Sequence, residues 1–310
     1  MIAFLYAGQG AQYPGMGRDL AAHSPAAAQV FSEAAEVLGY DVTALDADEL
    51  KRTDRAQTAT FVHSLAADAA LRALRPIPED AAYAGFSLGE WTAFTAAGIL
   101  DFRAALQLLG QRADFMDQAC RETAGAMVAV LGLEDEVILA ELCEERWVDR
   151  VFPANFNAPG QLVISGHEEA VLDCAAVLRQ KGARRTVRLD VAGAFHSPLM
   201  TGAAERLRQA AAELEALEGR GLVMSSVYGE PLDGRDSLPD YLARQMTSPV
   251  RWSTLVRNLG RRGVDTWIEF GPGTVLSGLV KRQFRNHRIL NVDDWASLGR
   301  TLEALPVTRL

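Results

Sequence analysis

Ser87 stands in the run Gly85-Phe86-Ser87-Leu88-Gly89. The small apolar stretch Ala81-Ala82-Tyr83-Ala84 precedes it, and the helix-forming stretch Glu90-Trp91-Thr92-Ala93-Phe94-Thr95-Ala96-Ala97 follows. Gly-x-Ser-x-Gly between a strand and a helix is the pattern of a nucleophile elbow, a turn so sharp that both flanking positions favour glycine. Such a turn lifts the serine hydroxyl clear of the backbone. The helix behind it aims its N-terminal amides, with their partial positive charge, at the reacting centre. The chemistry this arrangement suits is acyl transfer through a serine ester, which also requires a base and donors for an oxyanion.

Five histidines could supply the base. His23 lies in a polar helical stretch, His63 in the middle of an expected amphipathic helix, His167 in a turn after Ser165-Gly166, and His287 among arginines and asparagine near the C-terminus. These four read as structural or solvated. His196 differs, because Val191-Ala192-Gly193-Ala194-Phe195-His196-Ser197-Pro198-Leu199-Met200 is apolar and turn-forming. An imidazole there could take the proton of Ser87 and return it to a leaving thiol.

For the oxyanion, the amide of Leu88, directly after the serine, is the usual first donor at an elbow. Gly8-Gln9-Gly10-Ala11-Gln12, straight after the first expected strand, is a flexible loop whose amides can approach a ligand. One such donor is worth ~3–4 kcal/mol in the transition state. The loop could instead be a phosphate-binding turn, but neither G-x-G-x-x-G nor a Walker pattern is present. Arg112 sits in the helical run Arg103–Met116 beside Leu108, Leu109, Phe115 and Met116. It reads either as a snorkelling surface residue or as a guanidinium that grips a carboxylate with two parallel hydrogen bonds.

The elements that must position these groups alternate along the chain. Strand candidates are Ile2–Tyr6, Tyr83–Phe86, Val223–Val227, Thr266–Phe270 and Arg288–Val292, separated by alanine-rich helices such as Thr58–Leu74, Arg103–Met116 and Gly202–Leu217. That alternation implies βαβ units and a largely parallel sheet. Between residues 126 and 189 the texture changes to strand (126–131), helix (134–145), strand (161–165), helix (168–180) and strand (184–189), compact enough for a ferredoxin-like insert. The expected fold is therefore α/β: a large α/β-hydrolase-like domain with a parallel sheet (1–124 and 192–310) and a small ferredoxin-like inserted subdomain (125–191). An active site is expected in the cleft between them.

The chain has 310 residues, 49% of them hydrophobic and 23% charged, with a net charge of −9. That length buries a substantial core, and the negative charge argues against nucleic acid as partner. No apolar run reaches the ~20 residues of a membrane span. The N-terminus reads as a strand and not as a leader, so the chain is expected to be cytoplasmic. Cys120, Cys143 and Cys174 form neither a CxxC pair nor a metal-ligand spacing and read as incidental thiols in a reducing compartment. No metal, nucleotide or organic cofactor is indicated. The lack of a heptad pattern favours a monomer.

Taken together, these segments resemble the malonyl-CoA:acyl carrier protein acyltransferases of fatty acid and polyketide synthesis. The resemblance runs in order through Gly8-Gln9-Gly10-Ala11-Gln12-Tyr13-Pro14-Gly15-Met16-Gly17, Ser87-Leu88-Gly89-Glu90, Ala97-Gly98-Ile99-Leu100-Asp101 and Gln111-Arg112 with Phe115-Met116. It continues through Asn157-Ala158-Pro159-Gly160-Gln161, Ile164-Ser165-Gly166, Gly193–Met200, Ser248-Pro249-Val250-Arg251-Trp252 and Glu269-Phe270-Gly271-Pro272-Gly273.

The resemblance implies Ser87 as the acylated nucleophile, His196 as its base, and Gln245 at the position that orients the histidine, a dyad without an acidic third member. It implies the amides of Gln9 and Leu88 as the oxyanion hole and Arg112 as the binder of the malonyl carboxylate. It further implies ping-pong transfer of malonyl from malonyl-CoA to the phosphopantetheine thiol of an acyl carrier protein, with no cofactor beyond the CoA thioester. Phe86 stands where that family usually has histidine, Ala7 where it usually has proline, and Trp91 where tyrosine is common. Phe86 and Phe195 are the expected specificity positions. The ring of Phe195 beside the base leaves little room for an α-methyl branch, so malonyl is expected over methylmalonyl. Carrier proteins are normally acidic, and two basic groups offer a docking patch: Lys181, Arg184, Arg185 and Arg188, or Lys281, Arg282 and Arg285. The alternatives are a hydrolase clearing acyl groups from carriers, against which Arg112 argues, and the acyltransferase subunit of a malonate decarboxylase.

Overall fold

The computed structural model describes residues 1–305. Along the chain come β1 (Ile2–Tyr6), α1 (Arg18–His23), α2 (Pro25–Leu38), α3 (Thr53–Leu74), β2 (Ala82–Gly85), α4 (Leu88–Ala97) and α5 (Phe102–Glu122). Then follow β3 (Gly125–Leu131), α6 (Asp135–Leu142), β4 (Val151–Ala158), β5 (Gln161–His167), α7 (Glu168–Gln180) and β6 (Arg185–Arg188). Next come α8 (Thr201–Ala210), β7 (Leu222–Val223), α9 (Leu238–Thr247), α10 (Trp252–Arg261), β8 (Thr266–Phe270), α11 (Val275–Gln283), β9 (Arg288–Val292) and α12 (Trp295–Ala304). These elements group into two compact units, the first from 1–110, 216–224 and 259 onward, the second from 111–215 and 225–258.

The first unit holds a five-stranded sheet in the order β7-β2-β1-β8-β9, with every pairing parallel. Its middle strands are buried along their lengths, which is why Ala-Phe-Leu-Tyr and Trp-Ile-Glu-Phe read as continuous apolar runs rather than as an alternation. The exception, Glu269, is fully buried at the end of β8. Its carboxylate accepts the amides of Leu276 (2.9 Å) and Ser277 (2.7 Å) at the start of α11. A buried acid is tolerable there because helix N-terminal amides need acceptors and favour negative charge. Beside the sheet, α3 is apolar on one side, yet Gln57, Thr60, His63, Ser64 and Asp68 are buried as well. A polar stripe thus runs along the inside of a core helix.

The second unit holds a four-stranded antiparallel sheet in the order β4-β5-β3-β6. Its elements run β-α-β-β-α-β in the chain, the ferredoxin-like arrangement. Val128, Val130, Leu162, Ile164, Val171 and Leu178 lie in the core shared by the sheet and α6 and α7.

The helix expected over Arg103–Met116 runs on to Glu122 and the one over 134–145 stops at Leu142, and three further elements differ from the sequence reading. β4 is a strand that the pattern did not reveal, because Pro153, Asn155 and Asn157 are poor strand formers. It is tolerated as an edge strand with register shifts at Pro153/Asn155 and Phe156/Ala158. The strand expected over Val223–Val227 stops after Val223, since Ser225 turns the chain by accepting the Tyr228 amide at 3.0 Å while its own amide donates to Glu230 O. The helix expected to Leu217 ends at Ala210. Among the described residues, no helix is long and apolar enough to cross a membrane.

Candidate active site

The elbow forms where β2 gives way to α4. Ser87 takes φ 52° and ψ −108°, a conformation that costs a non-glycine residue about 1–3 kcal/mol and persists only where its surroundings impose it. Two glycines that are not themselves at positive φ make it possible. A Cβ on Gly85 would stand 1.9 Å from the backbone carbonyl of Gly89, and one on Gly89 would stand 2.0 Å from the carbonyl oxygen of Tyr6. Backbone is pressed against backbone on both sides of the serine, and only glycine fits. The turn is closed by Phe86 N–H to Tyr6 O (3.2 Å), Gly89 N–H to Phe86 O (2.9 Å) and Glu90 N–H to Ser87 O (3.0 Å). Leu88 is the first residue of α4, so its amide has no intrahelical acceptor and points out of the helix N-terminus.

The loop after β1 lies against this turn. A Cβ on Gly8 would stand 2.7 Å from the carbonyl oxygen of Phe86. Gln9 accepts from the side-chain amide of Gln57 at 3.4 Å. Gln12 accepts the Gly10 amide at 2.8 Å and donates to Leu50 O at 3.1 Å. The first unit therefore gathers Ser87, Leu88, Phe86 and Gln9 at the C-terminal ends of β1 and β2, where parallel sheets bind their ligands.

The second unit gathers His196, Gln245, Arg112 and Phe195. His196 has φ 57° and is 6% exposed. Its turn is braced by Ser197 Oγ, which donates to Ala194 O at 2.6 Å and accepts the Leu199 amide at 3.3 Å. His196 Nδ1 lies 3.1 Å from both Gln245 O and Ser248 O, two carbonyls at the C-terminal end of α9. Both partners can only accept, so Nδ1 carries the proton and Nε2 of the neutral ring is left as the acceptor. The helix C-terminus supplies partial negative charge at the protonated nitrogen. Gln245 thus meets the histidine through its main-chain carbonyl, while its side chain is buried.

Arg112 is 2% exposed, which removes the snorkelling reading. Burial pushes His196 down to about 4, with the Arg112 cation adding to the effect and the two carbonyls opposing it. The ring is consequently neutral, and able to accept a proton, at any pH well above 4.

Reading the residues alone missed three side chains that organise this region. Gln57 reaches Gln9 in the loop after β1, Glu269 accepts amides at the start of α11, and Asp293 accepts the amide of Gly273 at 3.1 Å. The one available signal was the polar spacing Gln57, Thr60, Ser64 along α3, which repeats every three to four residues as a helical face does. Nothing in that spacing says whether the face is inside or outside.

The His196 environment is directly measurable. In a pH titration followed by NMR, the His196 ring is expected to titrate near pH 4 instead of the ordinary 6.5. Arg112→Ala should raise that value, because it removes a cation and admits water. A ring that titrates near 6.5 in the folded protein contradicts the buried, cation-flanked environment.

The sequence and the fold both have counterparts among known proteins. The model of the acyl transferase domain family matches residues 3–304. The chain is 37% identical over 311 residues to the malonyl CoA-acyl carrier protein transacylase of Bacillus subtilis (strain 168), covering 98% of this chain and 97% of that one. It is 39% identical over 286 residues to the protein of the same name from Escherichia coli (strain K12), covering 91% and 92%. Among solved structures, MCAT from Streptococcus pneumoniae superposes with a TM-score of 0.92 at 36% identity, covering 98% of this chain and 100% of that one. A malonyl-transacylase solved in complex with its type II PKS acyl-carrier protein also superposes with a TM-score of 0.92 at 36% identity, covering 98% and 99%. A family model matched over residues 3–304 and relatives at 37% and 39% identity show that this chain belongs to the acyl transferase domain family.

Proposed function

We propose that the chain is a malonyl-CoA:acyl carrier protein acyltransferase that works through a Ser87 ester. The observation that carries this reading is the fully enclosed Arg112 within electrostatic reach of His196. A buried guanidinium beside a neutral base suits an acyl group that brings its own carboxylate. In the first half-reaction Ser87 Oγ attacks the thioester carbonyl while Nε2 of His196 takes its proton. The oxyanion is met by the amides of Leu88 and Gln9. Collapse breaks the C–S bond, and His196 returns the proton to the CoA thiolate. In the second half the pantetheine thiol of the carrier gives its proton to His196 and attacks the Ser87 ester, and the proton goes back to Oγ. Gln245 and Ser248 keep the ring in the required tautomer throughout.

Arg112 sets the acyl class. Left without a carboxylate, a buried charge of this kind costs ~3–5 kcal/mol, or at least about two decades in rate at ~1.4 kcal/mol each. Phe195, 8% exposed beside the base, narrows the space available to an α-methyl group, and Phe86 is the second specificity position. We read residues 125–191 as the insert proper and the working chain as a monomer. No cofactor enters the scheme.

For the carrier, the basic residues divide. Lys181 is drawn into an ion pair with buried Glu141, and Arg188 pairs with Glu168. Arg184 and Arg185 stay exposed where β6 begins, and so do Lys281, Arg282 and Arg285 near the end of α11. Arg184 and Arg185 are the stronger docking candidates for an acidic carrier, because an exposed cation steers an acidic partner at low ionic strength.

Intact mass after brief incubation with malonyl-, methylmalonyl- or acetyl-CoA tests the first half-reaction. Wild type should gain a malonyl group, load methylmalonyl more slowly and acetyl at least ~100-fold more slowly, whereas Ser87→Ala should gain nothing. Equal loading of acetyl and malonyl removes Arg112 from its role. Reversing the patch, Arg184→Glu with Arg185→Glu, should raise the KM for carrier protein severalfold and leave loading from malonyl-CoA unchanged. An unaltered carrier KM would exclude this face.

A further inference from the structure

β1, β8 and β9 run parallel and adjacent, so the loops leaving their C-terminal ends emerge side by side. Where those loops meet, one carboxylate is surrounded by three donors. Asp293 Oδ1 accepts the Tyr13 hydroxyl at 2.9 Å and lies 3.0 Å from Nε2 of His63. Oδ2 accepts the amide of Gly273 at 3.1 Å. The aspartate is itself fixed, since its amide donates to Ser297 Oγ at 3.0 Å within the N-terminal cap of α12. His63 is fully buried in α3, six residues after the Gln57 that reaches Gln9.

The loop carrying Gln9 is packed closely against this cluster. A Cβ on Gly17 would stand 3.1 Å from His63 Nδ1, and one on Gly273 would stand 3.3 Å from the Cβ of Ala11. Gly8, Gly10, Gly15 and Gly17 give the loop a backbone with many accessible conformations, so an outside anchor is needed to select one of them. Burial and the neighbouring carboxylate push the Tyr13 phenol up, which keeps it a neutral donor to Asp293.

We propose that Asp293 is a positioning residue which, through Tyr13 and His63, holds the loop after β1 so that the Gln9 amide stands ready for the oxyanion. The inference rests on the acyl-transfer reading of Ser87. It differs from that reading in its consequence. None of the three residues touches the acyl group or its carboxylate in this scheme, so they should influence the rate of ester formation and not the recognition of malonyl-CoA. A donor must come within about 2.7–3.1 Å of the developing oxyanion, and a misplacement of about 1 Å costs on the order of 100-fold.

Single-turnover malonylation of Ser87, followed by mass against malonyl-CoA concentration, tests this with two variants and their thermal unfolding. Tyr13→Phe deletes one oxygen at the exposed edge of the cluster, and Asp293→Asn keeps the shape while putting a donor where an acceptor is needed. The maximum rate is expected to fall about 10-fold for Tyr13→Phe and about 100-fold for Asp293→Asn, with half-saturation within about twofold of wild type. Should Asp293→Asn fail to fold, Tyr13→Phe decides alone. Variants that load at the wild-type maximum rate, or that lose only malonyl-CoA affinity, overturn the inference and leave the function intact. A wild type that forms no malonyl adduct overturns the function itself, and the inference with it.

Discussion

The first unit is organised around one steric constraint: three stretches of backbone meet at the end of β2 with no room for a side chain between them. Gly85 faces Gly89, and Gly89 faces Tyr6 O. Because β2, the start of α4 and the end of β1 are locked together in this way, the residue between the glycines is forced to φ 52°. Its hydroxyl is then presented at the helix N-terminus, where the Leu88 amide has no helical partner. The contact of Gly8 with Phe86 O extends the same packing to the loop that carries Gln9. Strain at one residue is thus balanced by sheet and helix packing over many, a common arrangement at reactive sites.

The second unit solves a different problem, that of keeping an imidazole neutral and correctly protonated while buried. Two carbonyls at the end of α9 take the Nδ1 proton, and burial beside Arg112 disfavours a second one. Arg112 therefore helps to keep the base free to accept a proton. His196, like Ser87, sits at positive φ without being glycine. Both groups assigned to the chemistry are held in backbone conformations that an unconstrained chain would leave.

Much of this was legible from residue types and spacing. The elbow, the parallel strands at Ile2–Tyr6, Thr266–Phe270 and Arg288–Val292, and the distinct texture of the middle segment all follow from local pattern. What stayed hidden depends on tertiary context. Glycine at 85 and 89 looks like a turn requirement, and its actual cause is close approach of distant backbone. Pro153 and two asparagines disguise β4, which an edge position tolerates. His63 in a helical pattern reads as bland, because its partner Asp293 lies 230 residues away. The involvement of Gln245 through its carbonyl is invisible to side-chain reasoning, since any residue there carries the same group.

In the proposed reaction the Ser87 ester is an intermediate handed to a thiol and not to water. The most direct test isolates malonylated enzyme free of CoA and mixes it with holo-acyl carrier protein or with buffer alone, following both masses. With carrier, the malonyl group should leave Ser87 rapidly with matching gain on the pantetheine thiol, and in buffer the ester should be long-lived. Release of free malonate at the same rate with and without carrier would contradict the proposed reaction and make the protein a hydrolase.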